Sequence, residues 1–170
     1  RIKTYSEDAR LYLKQAPEQQ RYNVIFGDAF NDFSVPYHLT TREFDLLVRA
    51  HLTDDGVYVV NLIDGKPHPF VITFLRTLKS VFGNVYMIPT NPDWQNLSRN
   101  TYILLASARP IDVTQLRQHS GSDITRNIND WIVTDAQVDA LLKTGPQYML
   151  SDDYVPVDNL LAPMFAADAK

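Results

Sequence analysis

The clearest indication of the fold lies in residues 22–44, which read Tyr22-Asn-Val-Ile-Phe-Gly-Asp28-Ala-Phe-Asn-Asp32-Phe-Ser-Val-Pro-Tyr-His38-Leu-Thr40-Thr-Arg-Glu43-Phe44. An apolar, β-branched run ends on a carboxylate, and a loop and a helix start follow it. Such a run is typical of a buried strand in a parallel sheet. Open α/β sheets bind their ligands at the carboxyl ends of their strands. The segment therefore predicts an α/β fold with a ligand site beside Asp28.

The order of the other elements agrees with this fold class. Arg1–Tyr5 alternates weakly and predicts a first strand, and a short helix then ends near Pro17. Further strands are predicted over 57–63, 85–88 and 101–106, with a turn at 54–56. Alternating strands and helices imply a mostly parallel sheet with helices on both faces. The last strand follows its predecessor without a helix, so we expect that pair to be antiparallel.

Helix starts and ends are also readable. Thr40 and Glu43 have the spacing of a capping box, which predicts a helix start there. Pro69 suits a first helical turn, and the helical period after it ends at Gly83. A further helix is predicted over 135–143, whereas 151–163 is interpreted as an irregular arm. We expect a partial α/β domain at 1–110 and a helical or irregular extension at 111–170 that packs on the same domain.

Composition excludes several classes of function. The chain has 170 residues, enough for one domain with a real core, and its net charge of −4 argues against a nucleic-acid footprint. It contains no cysteine and no run of eighteen apolar residues that could span a membrane. Its four histidines lack ligand spacing, so we expect no metal site. Its six glycines never cluster, so no dinucleotide or triphosphate cradle is predicted.

Several carboxylates and aromatic residues are candidates for chemistry. Asp28 and Asp32 can face one pocket, where a carboxylate could take a proton. Alternatively, Asp28 caps the next element and Asp32 is a solvated loop residue. The spacing does not decide between these two interpretations. Asp8 follows the expected first strand, but an N-cap role explains it more simply. His38 lies in the same loop and could contact substrate. Tyr154, in an acidic–aromatic triplet, is either a substrate contact or part of an exposed turn.

Four segments together resemble the spermidine synthases, which are polyamine aminopropyltransferases. Ser6-Glu-Asp8-Ala-Arg10-Leu-Tyr-Leu13 is similar to their Gly-Asp-Ala-Arg segment, and Tyr22–Asp32 to their Tyr-Asp-Val-Ile-x-x-Asp-x-x-Asp-Pro segment. Leu39–Phe44 and Leu52–Val57 resemble the helix start and the following turn of the family. The end, Leu150–Pro163, resembles spermidine-synthase-like domains that are fused to membrane segments in bacteria.

The resemblance implies a Rossmann-like, class I methyltransferase-type sheet and a site. The family moves an aminopropyl group from decarboxylated S-adenosylmethionine to putrescine. By this likeness Asp28 is the catalytic carboxylate that accepts the amine proton, and Asp8 and Ala9 bind the adenosyl co-substrate. Asp32, His38 and Tyr154 are the expected substrate contacts. The implied co-substrate is decarboxylated S-adenosylmethionine or S-adenosylmethionine, with no tightly bound cofactor, and the implied location is cytoplasmic.

The chain also departs from the family pattern. The second aspartate of the family is replaced by Asn31, with Asp32 one place later. The strands that carry the Gly-rich loop of the family have no counterpart after Arg1, so we expect the chain to be an incomplete, inactive part of such a domain. Their loss would leave Tyr22–Phe26 as an unpaired apolar edge, which predicts a homodimer formed through that edge.

Two other functions remain open. One is an S-adenosylmethionine-dependent methyltransferase, which would use a similar donor site with a different acceptor. The other is a non-catalytic module that keeps the fold within a larger, membrane-fused protein.

Overall fold

The computed structural model describes residues 2–29, 35–112 and 132–168. Its five α-helices are α1 (Ala9–Gln15), α2 (Arg42–Ala50), α3 (Pro69–Lys79), α4 (Asp135–Thr144) and α5 (Val157–Asp168). Its four strands are β1 (Tyr22–Gly27), β2 (Leu52–Asp64), β3 (Asn84–Pro89) and β4 (Asn100–Ser107), and a short 3-10 helix spans Tyr37–Leu39. Residues 113–131 of the predicted carboxyl-terminal extension fall outside the described residues.

The sheet is open and mixed, with the strand order β1-β2-β4-β3. β1 pairs with β2 in parallel, whereas β4 lies between β2 and β3 and is antiparallel to both. Three strands therefore run in one direction and only the last strand opposes them. This confirms the expected mostly parallel sheet with an antiparallel last strand.

The start of β2 differs from the prediction. Tyr22 pairs with Leu52 and Val24 with Val57, so two steps along β1 match five along β2. The Asp54–Gly56 segment, predicted as a turn, thus lies within a strand that bulges at its start. A Cβ on Gly56 would approach the backbone oxygen of Tyr22 to 3.0 Å, which explains the small residue here.

The amino terminus also differs from the prediction. Residues 2–5 form no strand, so the strand expected over Arg1–Tyr5 is wrong. Alternation over so few residues cannot fix a strand when no neighbour in the described sheet pairs with it. β1 consequently lies at one end of the described sheet, and Phe26 on it is 74% exposed. The predicted unpaired apolar edge is present in the described residues.

One face of the sheet carries the core. The side chains of Tyr58, Val60 and Leu62 on β2 and of Leu104 on β4 are buried there. Both α2 and α3 pack against β2 and against each other, so they lie on the same face. The alternate side chains of β2, including Val59, are only half-buried. Helices on both faces were expected, but the described helices that pack on the strands cover one.

The start of α2 is shifted by one residue from the predicted capping box. Thr41, not Thr40, is the N-cap, and its hydroxyl accepts the Phe44 N–H at 3.3 Å. The Thr40 hydroxyl instead donates to the carbonyl of Tyr37 in the 3-10 helix. Glu43 accepts a distant backbone N–H, that of Asp152, and so takes no part in a box.

The carboxyl-terminal part is more helical than predicted. An irregular arm was expected over 151–163. Residues 151–154 of it form a turn, but α5 begins at Val157 and continues through Pro163. Val157, Leu160, Leu161 and Met164 are buried and stabilise this helix through packing. Within the residues that the structure describes, no helix has the length and apolar character needed to cross a lipid bilayer.

Candidate functional site

A cavity of about 570 Å³ follows the free edge of β1. Its position at the carboxyl end of a parallel strand is the place where open α/β sheets bind ligands. Aromatic and aliphatic side chains form most of its wall, with carboxylates at Glu7 and Asp28. The lining residues are Tyr5, Glu7, Ala9, Tyr12, Leu13, Tyr22, Val24, Ile25, Phe26, Gly27, Asp28, Ala29, Leu39, Phe44 and Tyr58.

Asp28 stands at the lip of this cavity, one residue after β1 ends. Gly27 pairs with Val60 across the two parallel strands, so Asp28 comes beside Asn61 at the next position. The side-chain amide of Asn61 donates a hydrogen bond of 2.9 Å to Oδ1 of Asp28. The Asp28 side chain is otherwise exposed to the cavity and to solvent. A carboxylate oriented in this way can accept a proton from a bound ligand.

Tyr58 forms the inner wall of the cavity beside Gly27. A Cβ on Gly27 would lie 2.8 Å from the Tyr58 hydroxyl oxygen, so only glycine allows the ring to reach the edge of β1. Burial, and then the charge of Asp45, raise the pKa of Tyr58 well above its ordinary value. Burial likewise raises the pKa of Asp45, whose carboxyl oxygens are buried with no hydrogen-bond partner among the described residues. Burial therefore disfavours the charged form of both groups.

Helix α1 forms the opposite wall and is held by a set of hydroxyl and imidazole groups. The hydroxyls of Tyr12 and Tyr22 are 3.1 Å apart, and the Gln20 side-chain amide donates to both. The ring nitrogens of His51 lie 3.0 Å from the Gln20 carbonyl and 2.9 Å from the Leu13 carbonyl. These contacts join α1 to the start of β1.

Asp8 and His38 form a pair beside the cavity. The Asp8 carboxylate caps α1 by accepting the Leu11 N–H at 2.9 Å, and its other oxygen lies 2.6 Å from Nε2 of His38. The Leu11 N–H and then the His38 hydrogen bond hold the pKa of Asp8 below its usual value. The N-cap interpretation of Asp8 is thus confirmed, and one ring nitrogen of His38 is already engaged.

The predicted site residues are brought together only in part. Asp28 and Ala9 line the same cavity, whereas Asp8 and His38 lie next to Ala9 without being part of the lining. Tyr154 is 54% exposed in a turn, packs edge-on against Tyr148 and is not part of the cavity lining.

Two further predictions concern Asp32 as a substrate contact and the absence of a metal site. Asp32 falls outside the described residues, so its role stays a prediction. In residues 2–29, 35–112 and 132–168, no group of three or more histidine, aspartate and glutamate side chains has the arrangement to hold a metal ion.

Two curated aminopropyltransferases are similar to stretches of this chain. The polyamine aminopropyltransferase of Vibrio vulnificus is 30% identical over 127 residues, which cover 65% of this chain and 42% of that protein. A probable polyamine aminopropyl transferase of Bifidobacterium longum is 36% identical over 85 residues, which cover 49% of this chain and 18% of that protein. The chain is similar to part of the polyamine aminopropyltransferases. This confirms the resemblance seen in the sequence, and the chain spans less than half the length of these relatives.

Solved structures with the same fold include aminopropyltransferases. A probable spermidine synthase from Corynebacterium glutamicum superposes with a TM-score of 0.69 at 20% identity, over 90% of this chain and 55% of that one. A spermidine synthase in complex with the transition-state analogue AdoDATO gives a TM-score of 0.58 at 17% identity, over 79% of this chain and 48% of that one. At such identities the likeness shows the fold alone.

Methyltransferases share this fold and part of the sequence. The N-terminal histidine N-methyltransferase of Emericella nidulans is 34% identical over 79 residues, which cover 45% of this chain and 14% of that protein. Human methyltransferase-like protein 13, in complex with SAH, superposes with a TM-score of 0.52 at 18% identity, over 92% of this chain and 65% of that one. No family model matches the chain.

Two residues of the site were missed by the sequence reasoning. Asn61 sits inside an apolar strand run, and a polar residue at a half-buried strand position is a signal that could have found it. Glu7, which precedes Asp8 in the chain, lines the cavity itself. Most of the other lining residues come from distant segments, which the local pattern does not show.

Proposed function

We propose that this chain forms part of a polyamine aminopropyltransferase and contributes the acceptor side of its active site. In this reaction an amine nitrogen of a diamine attacks the methylene carbon bonded to the sulfonium of decarboxylated S-adenosylmethionine. A carbon–nitrogen bond forms, the carbon–sulfur bond breaks, and the adenosyl thioether leaves. Asp28 accepts the proton that the attacking amine loses.

The observation that carries this proposal is the position of Asp28. Its carboxylate is held by Asn61 at 2.9 Å, on the lip of a cavity of about 570 Å³ whose wall is mostly apolar. A diamine needs a carboxylate for its charged nitrogen and apolar walls for its methylene chain. Both are supplied within one cavity.

We place the adenosyl co-substrate against the amino end of α1. Ala9 lines the cavity, and an adenine amino group would be a further donor to the Asp8 carboxylate beside it, which already accepts the Leu11 N–H and lies 2.6 Å from His38. Aromatic rings in the same wall, including Tyr5, Tyr12 and Tyr22, offer surfaces on which a purine stacks. The co-substrate is consumed in each turnover, so no tightly bound cofactor is part of the proposal.

We also propose that the chain is inactive by itself. It spans 42% and 18% of the two aminopropyltransferases to which it is similar. The cavity follows a strand edge that has no further partner in the described sheet, so its outer side needs other protein. Activity is expected only when that remainder is present.

A methyltransferase is the second candidate function, favoured by the likeness to an N-methyltransferase over 79 residues. It would use S-adenosylmethionine as donor, and Asp28 would accept the proton of the methylated nitrogen. A non-catalytic module that keeps the fold for assembly is a third. It is consistent with the unpaired apolar edge of β1.

Calorimetry separates these functions. Decarboxylated S-adenosylmethionine, S-adenosylmethionine and putrescine are titrated into this chain and into any longer protein that contains it. Binding of the decarboxylated donor and of putrescine supports the aminopropyltransferase, and binding of S-adenosylmethionine alone supports the methyltransferase. If the longer protein binds none of them, both enzyme functions are wrong.

We further propose that the isolated chain dimerises through β1. The strand is unpaired on its outer side among the described residues, and Val24 and Phe26 on it are 45% and 74% exposed. An unpaired apolar edge is a template for strand pairing with another chain. A second copy supplies an identical edge, so antiparallel pairing about a two-fold axis satisfies both.

A further inference from the structure

The turn at residues 151–154 returns to the amino-terminal elements and contacts two of them, α1 and α2. Asp152 forms a two-pronged ion pair with Arg10 of α1, with contacts of 2.8 and 2.5 Å. The Thr41 hydroxyl, at the start of α2, donates to the same carboxylate at 2.8 Å. The Asp152 N–H donates to Glu43 at 3.0 Å. We call Arg10, Thr41 and Asp152 the clasp.

The clasp is continuous with the Asp8–His38 pair. Arg10 is the second residue of α1 and directly follows Ala9, which lines the cavity. Its guanidinium also donates to the backbone carbonyl of His38 at 3.1 Å. Nε2 of His38 in turn lies 2.6 Å from Asp8. One guanidinium therefore ties the start of α1 both to the 3-10 helix and to a segment 142 positions away.

The charges of the clasp reinforce its geometry. The Arg10 guanidinium holds the pKa of Asp152 below its usual value, and Asp152 raises the pKa of Arg10. The Arg10 side chain is 13% exposed and that of Asp152 is 44% exposed. A planar guanidinium that binds a carboxylate through two parallel hydrogen bonds fixes orientation as well as distance. A partly exposed pair contributes little to global stability, so its effect is chiefly on position.

We propose that Arg10 and Asp152 are positioning residues that hold the amino end of α1, with Asp8 and Ala9, in place for the adenosyl ligand. The identity of that ligand rests on the proposed function, but the positioning does not. The carboxyl-terminal turn thereby holds in position a wall of the site, although the turn does not line the site itself.

The test compares Asp152→Asn with Asp153→Asn in the full 170-residue chain. The control removes the same charge from the adjacent exposed residue. Hydrogen exchange at the amides of Leu11 and Tyr12, which bond to the Asp8 carboxylate and carbonyl, reports the position of Asp8 without any ligand. Calorimetry with decarboxylated S-adenosylmethionine and S-adenosylmethionine reports the site.

We expect Asp152→Asn to speed exchange at both amides and to weaken the adenosyl ligand about tenfold, with an unchanged unfolding temperature. Asp153→Asn should do neither, and Asp152→Glu should restore part of the affinity because it keeps the charge. Equal exchange in Asp152→Asn and the control overturns the inference. Faster exchange with unchanged ligand affinity overturns it as well, because α1 then moves without consequence for the site.

If neither the unsubstituted chain nor a longer protein that contains it binds an adenosyl ligand, the proposed placement of that ligand is wrong. Hydrogen exchange alone then decides whether the clasp holds the amino end of α1 in place. Faster exchange at Leu11 and Tyr12 in Asp152→Asn supports it, and exchange equal to that of Asp153→Asn overturns it.

Discussion

The side-chain amide of Asn61 donates a hydrogen bond of 2.9 Å to Oδ1 of Asp28, although the two residues are 33 positions apart in the chain. The parallel register of β1 and β2 brings them together, because Gly27 pairs with Val60. The bond turns one carboxylate oxygen toward Asn61 and leaves the other for a ligand. Asn61 therefore sets the direction in which Asp28 acts.

Replacing Asn61 by alanine should weaken putrescine binding about tenfold, since a hydrogen bond to a charged group contributes about 1.5 kcal/mol or more. Asn23→Ala is the matched control, because Asn23 is an exposed residue of β1. Calorimetry on both variants, in this chain or in a longer protein that contains it, measures the effect. Equal affinities in the two variants would show that Asn61 does not orient Asp28.

Asp64 should make the stability of the fold depend on pH. Burial raises its pKa from 3.8 to about 7, although the N–H groups of Val71 and Gly65 partly oppose this. The native state then binds the proton more tightly than the unfolded chain. The free energy of unfolding should therefore decrease as pH rises through this range, by at most about 4 kcal/mol.

Urea unfolding of the chain and of Asp64→Asn at pH about 5 and about 7.5 checks this expectation. The substitution lowers stability at both values, because an amide cannot accept both the Gly65 and the Val71 N–H. It should nevertheless remove the part of the change with pH that Asp64 contributes, whereas the buried Asp45 keeps its own part of the same sign. A variant that keeps the full pH dependence of the unsubstituted chain would contradict the assignment to Asp64.

Gly65 should tolerate no larger residue. A Cβ there would lie 1.6 Å from the backbone oxygen of Ser98, which cannot move aside as a side chain can. Gly65→Ala should cost about 3 kcal/mol or more. In Gly83→Ala the new Cβ meets only the Ala108 oxygen at 3.4 Å, so a change within about 1 kcal/mol is expected. Thermal unfolding of both variants makes the comparison, and similar losses would contradict it.

Dimerisation through β1 should be sensitive to charge on that strand. Phe26→Lys places a cation on the exposed edge, which is a common means of blocking strand pairing. Light scattering after gel filtration should give a dimer for the unsubstituted chain and a monomer for this variant. Tyr37→Lys changes another exposed aromatic residue, which lies away from β1, and should leave the dimer intact. A monomeric unsubstituted chain would rule out this proposal.

The sequence predicted the strands well because their apolar runs are long and are bounded by turn residues. β1, β3 and β4 lie where the pattern placed them, and the antiparallel last pair followed from the missing helix between them. The pattern failed where local signals were weak or ambiguous. Two adjacent threonines, Thr40 and Thr41, offer the same capping chemistry. In the structure the Thr40 hydroxyl donates to the Tyr37 carbonyl, and Thr41 caps α2.

The candidate site was predictable only where it depends on position along a strand. Asp28 follows directly from the end of β1, and its place at the lip of a cavity agrees with that expectation. The pairing of Asp8 with His38 and of Arg10 with Asp152 joins segments that are 30 and 142 positions apart. Such contacts depend on how the elements pack, which local periodicity does not report.

The most direct test of the central claim is the transfer rate of Asp28→Asn beside that of Asp54→Asn, an exposed aspartate at the other end of the sheet. Both are measured in an active protein that contains this chain, with labelled decarboxylated S-adenosylmethionine and putrescine. We expect Asp28→Asn to lose about 10²–10⁴-fold in rate and Asp54→Asn to keep its activity, because Asp28 and not Asp54 is proposed to accept the amine proton. Full activity in Asp28→Asn would contradict the account.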